Sequence, residues 1–276
     1  MDNLIKKVPT GISSLDPIIK GGIPGGSFIL ALGEVGAGSQ EFIYTSMLGL
    51  SQLAKDPPKT NGTELPKKIC YISLTKTREN IIQDIATMHT ADIKDVEDNL
   101  IFVDLSEQYF SRSHVPPSWT AYTGDIFKAG QKRTKSLFNL LVETMDKYAT
   151  NNLVIIDSLT DLVRSSYTDN ITWNDLVSLL KGMERMAKQW NCVIYALMTA
   201  DIFDNSKQEE VSDCVDGVLV FAWDVTGVNQ RQRTMYIKKF RGLMPYLEED
   251  NVVKFETNVT AKHGFEISNI REIMGK

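Results

Sequence analysis

Gly33-Glu34-Val35-Gly36-Ala37-Gly38-Ser39-Gln40 is the stretch that decides how this chain is read. An apolar, strand-like run, Phe28 to Leu32, leads into it, and a helix-like apolar run, Phe42 to Leu53, follows. Strand, glycine-rich turn and helix in that order form the setting of a phosphate-binding loop. The glycines let the backbone curl so that its N–H groups point inward, and the helix N-terminus adds the positive end of its dipole. The working motif is G-x-x-x-x-G-K-[ST]. Here Gly33 and Gly38 keep the frame, but Ser39 stands where the lysine belongs and Gln40 where the serine or threonine belongs. The lysine would reach the β- and γ-phosphates, and the hydroxyl would hold Mg²⁺. The expectation is a loop with the shape of a phosphate site and without its two chemical side chains.

The rest of the composition sets bounds on function. Of 276 residues, 42% are hydrophobic and 24% charged, enough apolar material for a full core in one large α/β domain or two small ones. No apolar run reaches the roughly eighteen residues of a membrane span, and Met1 to Thr10 lacks a signal-peptide core. Cys70, Cys192 and Cys214 are widely spaced, and the first two lie in apolar runs. They read as buried thiols of a cytoplasmic protein, neither a disulfide framework nor a metal site. A net charge of -5 argues against a nucleic-acid surface.

Ahead of the loop come Thr10-Gly11-Ile12-Ser13-Ser14-Leu15-Asp16 and then Gly21-Gly22-Ile23-Pro24-Gly25-Gly26, a glycine-shaped turn into the first strand. Downstream, Leu153-Val154-Ile155-Ile156-Asp157 sets four apolar residues before an Asp at a strand end. That is the pattern of a Walker B element, whose carboxylate holds Mg²⁺, or of an Asp that caps the next turn. In this order, with strands and helices alternating between them, these segments resemble the KaiC-like and RecA/RadA-type ATPases over nearly the whole chain. The resemblance implies an α/β, RecA-like P-loop NTPase core in a single domain, 1–276. Its central sheet would be mostly parallel and flanked by helices, with antiparallel strands at the C-terminus. The degenerate Walker A spans 33–40 and the Walker B element 153–157.

The same resemblance shows what is missing. In KaiC-like enzymes the second strand, here Ile69 to Leu74, ends in a glutamate pair that polarises the attacking water. Thr75 and Lys76 occupy those positions, and neither can act as that base. Of the catalytic groups only Asp157 remains, as a Mg²⁺ ligand. Glu34 and Asp157 would oppose a bound phosphate. Lys76 either points to solvent or brings its ammonium to the place of the lost loop lysine, to hold an anion or pair with Asp157. Family members carry a DNA-binding or pore loop after the strand Cys192 to Met198. Here Ala200 to Glu210 holds Asp201, Asp204, Glu209 and Glu210 against a single lysine, which phosphates would repel.

Two further stretches bear on partners. Lys239 and Arg241, two apart near the end of Arg233 to Gly242, match the family's K-x-R-G, which reaches into a neighbouring subunit's site. A solvated basic strand edge has the same spacing. The stretch 106–133 has no clear period and gathers Lys128, Lys132 and Arg133 near its end. It is a long surface loop or a partner-binding lid. The expected function is that of a KaiC-like domain, inactive or very weak as an ATPase. It would bind ATP or ADP weakly through Gly33 to Gln40, Lys76 and Asp157, with Mg²⁺ on Asp157 if anywhere. It would act as a regulatory module through homo-oligomer or protein-partner contacts, with no DNA and no membrane. The alternatives are an active but unorthodox ATPase and a RecA/RadA paralogue in DNA repair.

Overall fold

A computed structural model describes residues 6–57, 62–89, 92–120, 135–168, 170–226, 230–249 and 252–272. Two short strands, β1 (Lys7–Val8) and β2 (Ile23–Pro24), form an antiparallel ribbon at the entry. The main body then runs β3 (Phe28–Gly33), α1 (Ser39–Leu53), β4 (Ile69–Ser73), α2 (Arg78–Met88), α3 (Lys94–Asn99) and β5 (Leu100–Asp104). It continues through α4 (Ser106–Phe110), α5 (Pro117–Thr120), α6 (Leu137–Tyr148), β6 (Leu153–Asp157), α7 (Leu159–Thr168) and α8 (Trp173–Trp190). The last part comprises β7 (Val193–Thr199), α9 (Asn205–Asp213), β8 (Gly217–Thr226), β9 (Gln230–Phe240), α10 (Met244–Glu249), β10 (Val252–Thr260) and β11 (Gly264–Glu272).

Nine of these strands make one sheet in the order β11-β10-β9-β8-β3-β7-β6-β4-β5. From β8 to β5 every pairing is parallel, and β8 to β11 continue as antiparallel neighbours. The mostly parallel centre with antiparallel C-terminal strands is the architecture expected from the motifs. Strands β3, β4 and β6 are buried along their whole length, because helices cover both faces. Alternate residues therefore feed two separate cores. Ile29, Ala31, Tyr71 and Ile155 face α1, while Phe28, Leu30, Ile72 and Val154 face the side of α6, α7 and α8.

Two expectations change. The stretch after β5 is not structureless at its start: residues 106–120 hold the short helices α4 and α5, and the Tyr109 hydroxyl donates to Asp161 at 3.0 Å. Its remainder, 121–133 with Lys128, Lys132 and Arg133, lies outside the described residues. The acidic segment 200–210 is half helix, since α9 begins at Asn205, and Glu209 and Glu210 are held by Lys238 and by the indole N–H of Trp173. Residues 200–204 alone read as loop, because Asp204 occupies the N-cap position of α9.

The end of the sheet opposite the glycine loop is fixed by one buried acid. Asp216 accepts from the Phe28 N–H at 3.1 Å and from Lys188 Nζ at 3.0 Å, and Arg241 reaches it at 3.4 Å. Replacing it removes the acceptor of the buried Phe28 N–H and leaves Lys188 and Arg241 with Glu184 as their remaining acid. Asp216→Ala is expected to lower stability by about 2–4 kcal/mol in urea unfolding. Arg241→Ala removes an exposed partner only and is expected to cost less than about 1 kcal/mol.

Candidate functional site

The loop between β3 and α1 has the backbone form that its glycines predict. Gly36 and Gly38 have φ of 74° and 115°, and a Cβ on Gly38 would meet the Phe265 ring at 3.3 Å, so glycine is required there. The outer carbonyls are pinned from the sheet extension. Trp223 Nε1 donates to Val35 O at 3.1 Å and Arg233 Nε to Gly36 O at 3.0 Å, with the guanidinium stacked on the Trp223 ring at 4.6 Å. Glu34 turns the same way, accepting from the Trp223 N–H at 3.3 Å. Ala37 N–H closes the turn on Glu34 O at 3.0 Å, and Val35 at the tip is 83% exposed. The Ser39 side chain lies back against Gly33, in the space a Cβ there would take.

Beneath the loop, Gln40 enters a chain of polar groups. Its Nε2 donates to the Tyr71 hydroxyl at 3.1 Å, and that hydroxyl donates to Asp157 Oδ2 at 2.5 Å. The sheet register produces this contact. Ser73 pairs with Asp157 and Tyr71 with Ile155 across the parallel β4–β6 ladder, so Tyr71 and Asp157 are diagonal neighbours on the face toward α1. Lys76 follows β4 and is turned inward. Ser73 Oγ clamps its backbone, accepting from Lys76 N at 2.9 Å and donating to Lys76 O at 2.7 Å. The ammonium then sits 3.8 Å from Asp157 and 3.6 Å from Asp84, and donates at 3.2 Å to Tyr44 OH, which itself donates to Asp84 at 3.2 Å.

Burial raises the Asp157 carboxyl above its ordinary range, while the Lys76 charge and the Tyr71 hydrogen bond pull it down. Tyr71, fully enclosed beside that carboxylate, is pushed well above the usual phenol value by desolvation and by the Asp157 charge. The phenol therefore stays a donor. The backbone cradle fits a phosphate in shape, but the side chains do not fit a magnesium ion. Gln40 brings a carboxamide committed to Tyr71 where a hydroxyl ligand belongs, and Asp157 Oδ2 already accepts a hydrogen bond from the Tyr71 hydroxyl.

Of the residues singled out in the sequence, Gln40, Lys76 and Asp157 come together, with Gly33 to Ser39 forming the loop above them. Thr75 is exposed. Lys239 and Arg241 lie at the far end of the sheet and are engaged within the chain. Lys239 Nζ donates to the carbonyls of Ser212 and Asp213 at the end of α9, and Arg241 to Glu184 and Asp216. Sequence reasoning missed Tyr71, Tyr44, Asp84, Trp223 and Arg233. The two-residue period of β4 was a signal for Tyr71, whereas Trp223 and Arg233 meet only through the β8–β9 register.

Comparison with known proteins accords with this geometry. The family model for the KaiC ATPase matches residues 8–252. A solved KaiC-like protein, PH0186 of the hyperthermophilic archaeon Pyrococcus horikoshii OT3, superposes with a TM-score of 0.63. The match covers 96% of this chain and 100% of that one at 15% identity, a likeness of fold. No curated protein matches the sequence.

Lys76 is the cation that offsets a buried carboxylate, so its removal is expected to be felt most where Asp157 is charged. Lys76→Ala should lower stability by about 1–2 kcal/mol near neutral pH, the lysine being about one-third exposed. A carboxyl raised on folding loses stability as pH rises through its folded value, and without Lys76 that value rises further. The deficit against the parent should therefore shrink on acidification, once Asp157 takes a proton in both proteins. Asp157→Asn, which removes the charge and keeps an acceptor for Tyr71, should melt no lower than the parent. Thermal melts from pH 4 to 8 check all three outcomes.

Proposed function

We propose, from the premise that this chain belongs to the KaiC ATPase family, that it is a member whose metal site is closed by its own side chains and that works without turning over ATP. The observation that carries this reading is the continuous chain Gln40–Tyr71–Asp157–Lys76. Three of the groups that would perform the chemistry are replaced: the loop lysine by Ser39, the loop hydroxyl by Gln40 and the glutamate pair by Thr75 and Lys76. Each such donor or base commonly lowers a barrier by about 2–4 kcal/mol, so losing three leaves no useful rate.

A nucleotide, ATP or ADP, is held weakly and without Mg²⁺, by the backbone N–H groups of Gly33 to Gln40, with the Arg233 guanidinium nearby. The protein acts as a cytoplasmic regulatory module that contacts a second copy of itself and a protein partner. Lys239 and Arg241, kept at the K-x-R-G position, lie at the seam between copies, and the acidic stretch 200–210 disfavours DNA as the partner. What supports assembly is the family; what supports the silent site is the geometry around Asp157.

The test is phosphate release from Mg²⁺-ATP by the purified protein. Release far below about one per second, and unchanged by Asp157→Ala, is expected. Mg²⁺-dependent release near that rate, abolished by Asp157→Ala, overturns the reading.

A further inference from the structure

On the sheet face away from α1, the helices α6 and α8 leave an apolar groove between them, of about 510 Å³. Its accessible surface comes from Val142, which is 42% exposed, and from the half-buried Leu179, Met186 and Trp190, with Met145 and Met183 closing the floor. On α8 the lining recurs at Asp175, Leu179, Gly182, Met186 and Trp190, in steps of three or four. One stripe of that helix therefore faces the groove for about 22 Å.

Gly182 stands in the middle of the stripe. A glycine inside a helix of 18 residues costs about 1 kcal/mol against alanine. Packing does not require it, since a Cβ there would meet no atom within 4 Å. What it does is leave the α8 backbone bare at the centre of the groove, where another backbone can approach closely. The lip carries acids. Asp146 of α6 and Asp175 at the start of α8 both line the groove and are exposed. Asp175 Oδ2 accepts from Thr172, and among the described residues no ion pair reaches either carboxylate. The nearby cations serve other faces. Lys181, Arg185 and Lys188 form a separate stripe of α8 outside the groove, Lys181 turning to Asp213 and Lys188 to Asp216, while Lys135 is held by Glu143.

We propose that this groove binds a basic amphipathic helix of a protein partner, its apolar stripe laid on Leu179, Met186 and Trp190 and its lysines or arginines set over Asp146 and Asp175. A helix is the occupant that fits an apolar groove between two helices with bare backbone at its centre. The methionines, unbranched and polarisable, adapt to the partner's apolar residues. The two acids select the sign of the partner's charge and steer its approach. That a protein partner exists rests on the function proposed above. Occupancy of the groove is read without nucleotide, so it and the silent site at Asp157 stand or fall separately.

Fluorescence anisotropy with a labelled synthetic peptide of about sixteen residues, leucines at i, i+3, i+4 and i+7 and lysines elsewhere, tests it. This peptide should bind with Kd below about 50 μM, and a leucine–glutamate peptide of the same pattern at least about tenfold more weakly. Gly182→Gln fills the open space with a better helix former. It should weaken the lysine peptide at least about tenfold while melting no lower than the parent. Asp146→Lys should weaken the lysine peptide by about threefold or more and the glutamate peptide not at all. Lysine-peptide binding weaker than about 1 mM, equal binding of the glutamate peptide, or binding unchanged by Gly182→Gln or by Asp146→Lys overturns the assignment. So does self-association of the parent that Gly182→Gln abolishes, which would give the groove to a second copy.

Discussion

A carboxylate taken out of water must find positive charge and hydrogen-bond donors nearby, and in this fold the end of β6 is such a place. Asp157 is 7% exposed. In an ATPase of this architecture a metal ion supplies the compensation. Here the protein supplies it: a phenol proton from Tyr71 at 2.5 Å and an ammonium from Lys76 at 3.8 Å. The neighbouring side chains of the site support these two partners. Gln40 has the reach to support the Tyr71 hydroxyl, which a serine or threonine would not have. Tyr44 and Asp84 steady the far side of the Lys76 ammonium, so that one cation serves two acids.

The form of the loop above is tied to the packing. Phe42, Phe221 and Phe265 meet at ring separations of 5.4 to 5.7 Å, and Phe265 also backs Gly38. Trp223 and Arg233 hold the outer carbonyls from the antiparallel extension of the sheet. A larger residue at Gly38 would disturb the core whether or not a phosphate ever visits. The shape of the loop is thus constrained by the packing, independently of which side chains stand at its catalytic positions.

Much of this was legible in the sequence, for physical reasons that differ from place to place. The parallel strands read clearly because they are apolar on both faces, and the helices α2 and α6 because of the spacing of their apolar residues. Ser39, Gln40, Thr75 and Lys76 were legible as departures from the motif. Whether Lys76 turned in or out was not, since the choice depends on Ser73 clamping the turn from three residues away. Tyr71 looked like one more apolar strand residue until register placed it diagonal to Asp157. Arg233 was hidden for the same reason: its stacking on Trp223 exists only once β8 and β9 are paired in register. The two short helices at 106–120 lie below the length at which periodicity carries a signal.

The closed network around Asp157 is most directly tested with Mn²⁺, a paramagnetic stand-in for Mg²⁺, added with ADP to protein carrying ¹³C-labelled aspartate and tyrosine. A metal at the end of β6 would broaden the Asp157 carboxyl and Tyr71 ring signals selectively, ahead of exposed acids. The network predicts that these two signals stay as sharp as those of other buried residues while exposed carboxylates broaden weakly and together. Early, saturable broadening confined to Asp157 and Tyr71 would show that the site still takes a metal.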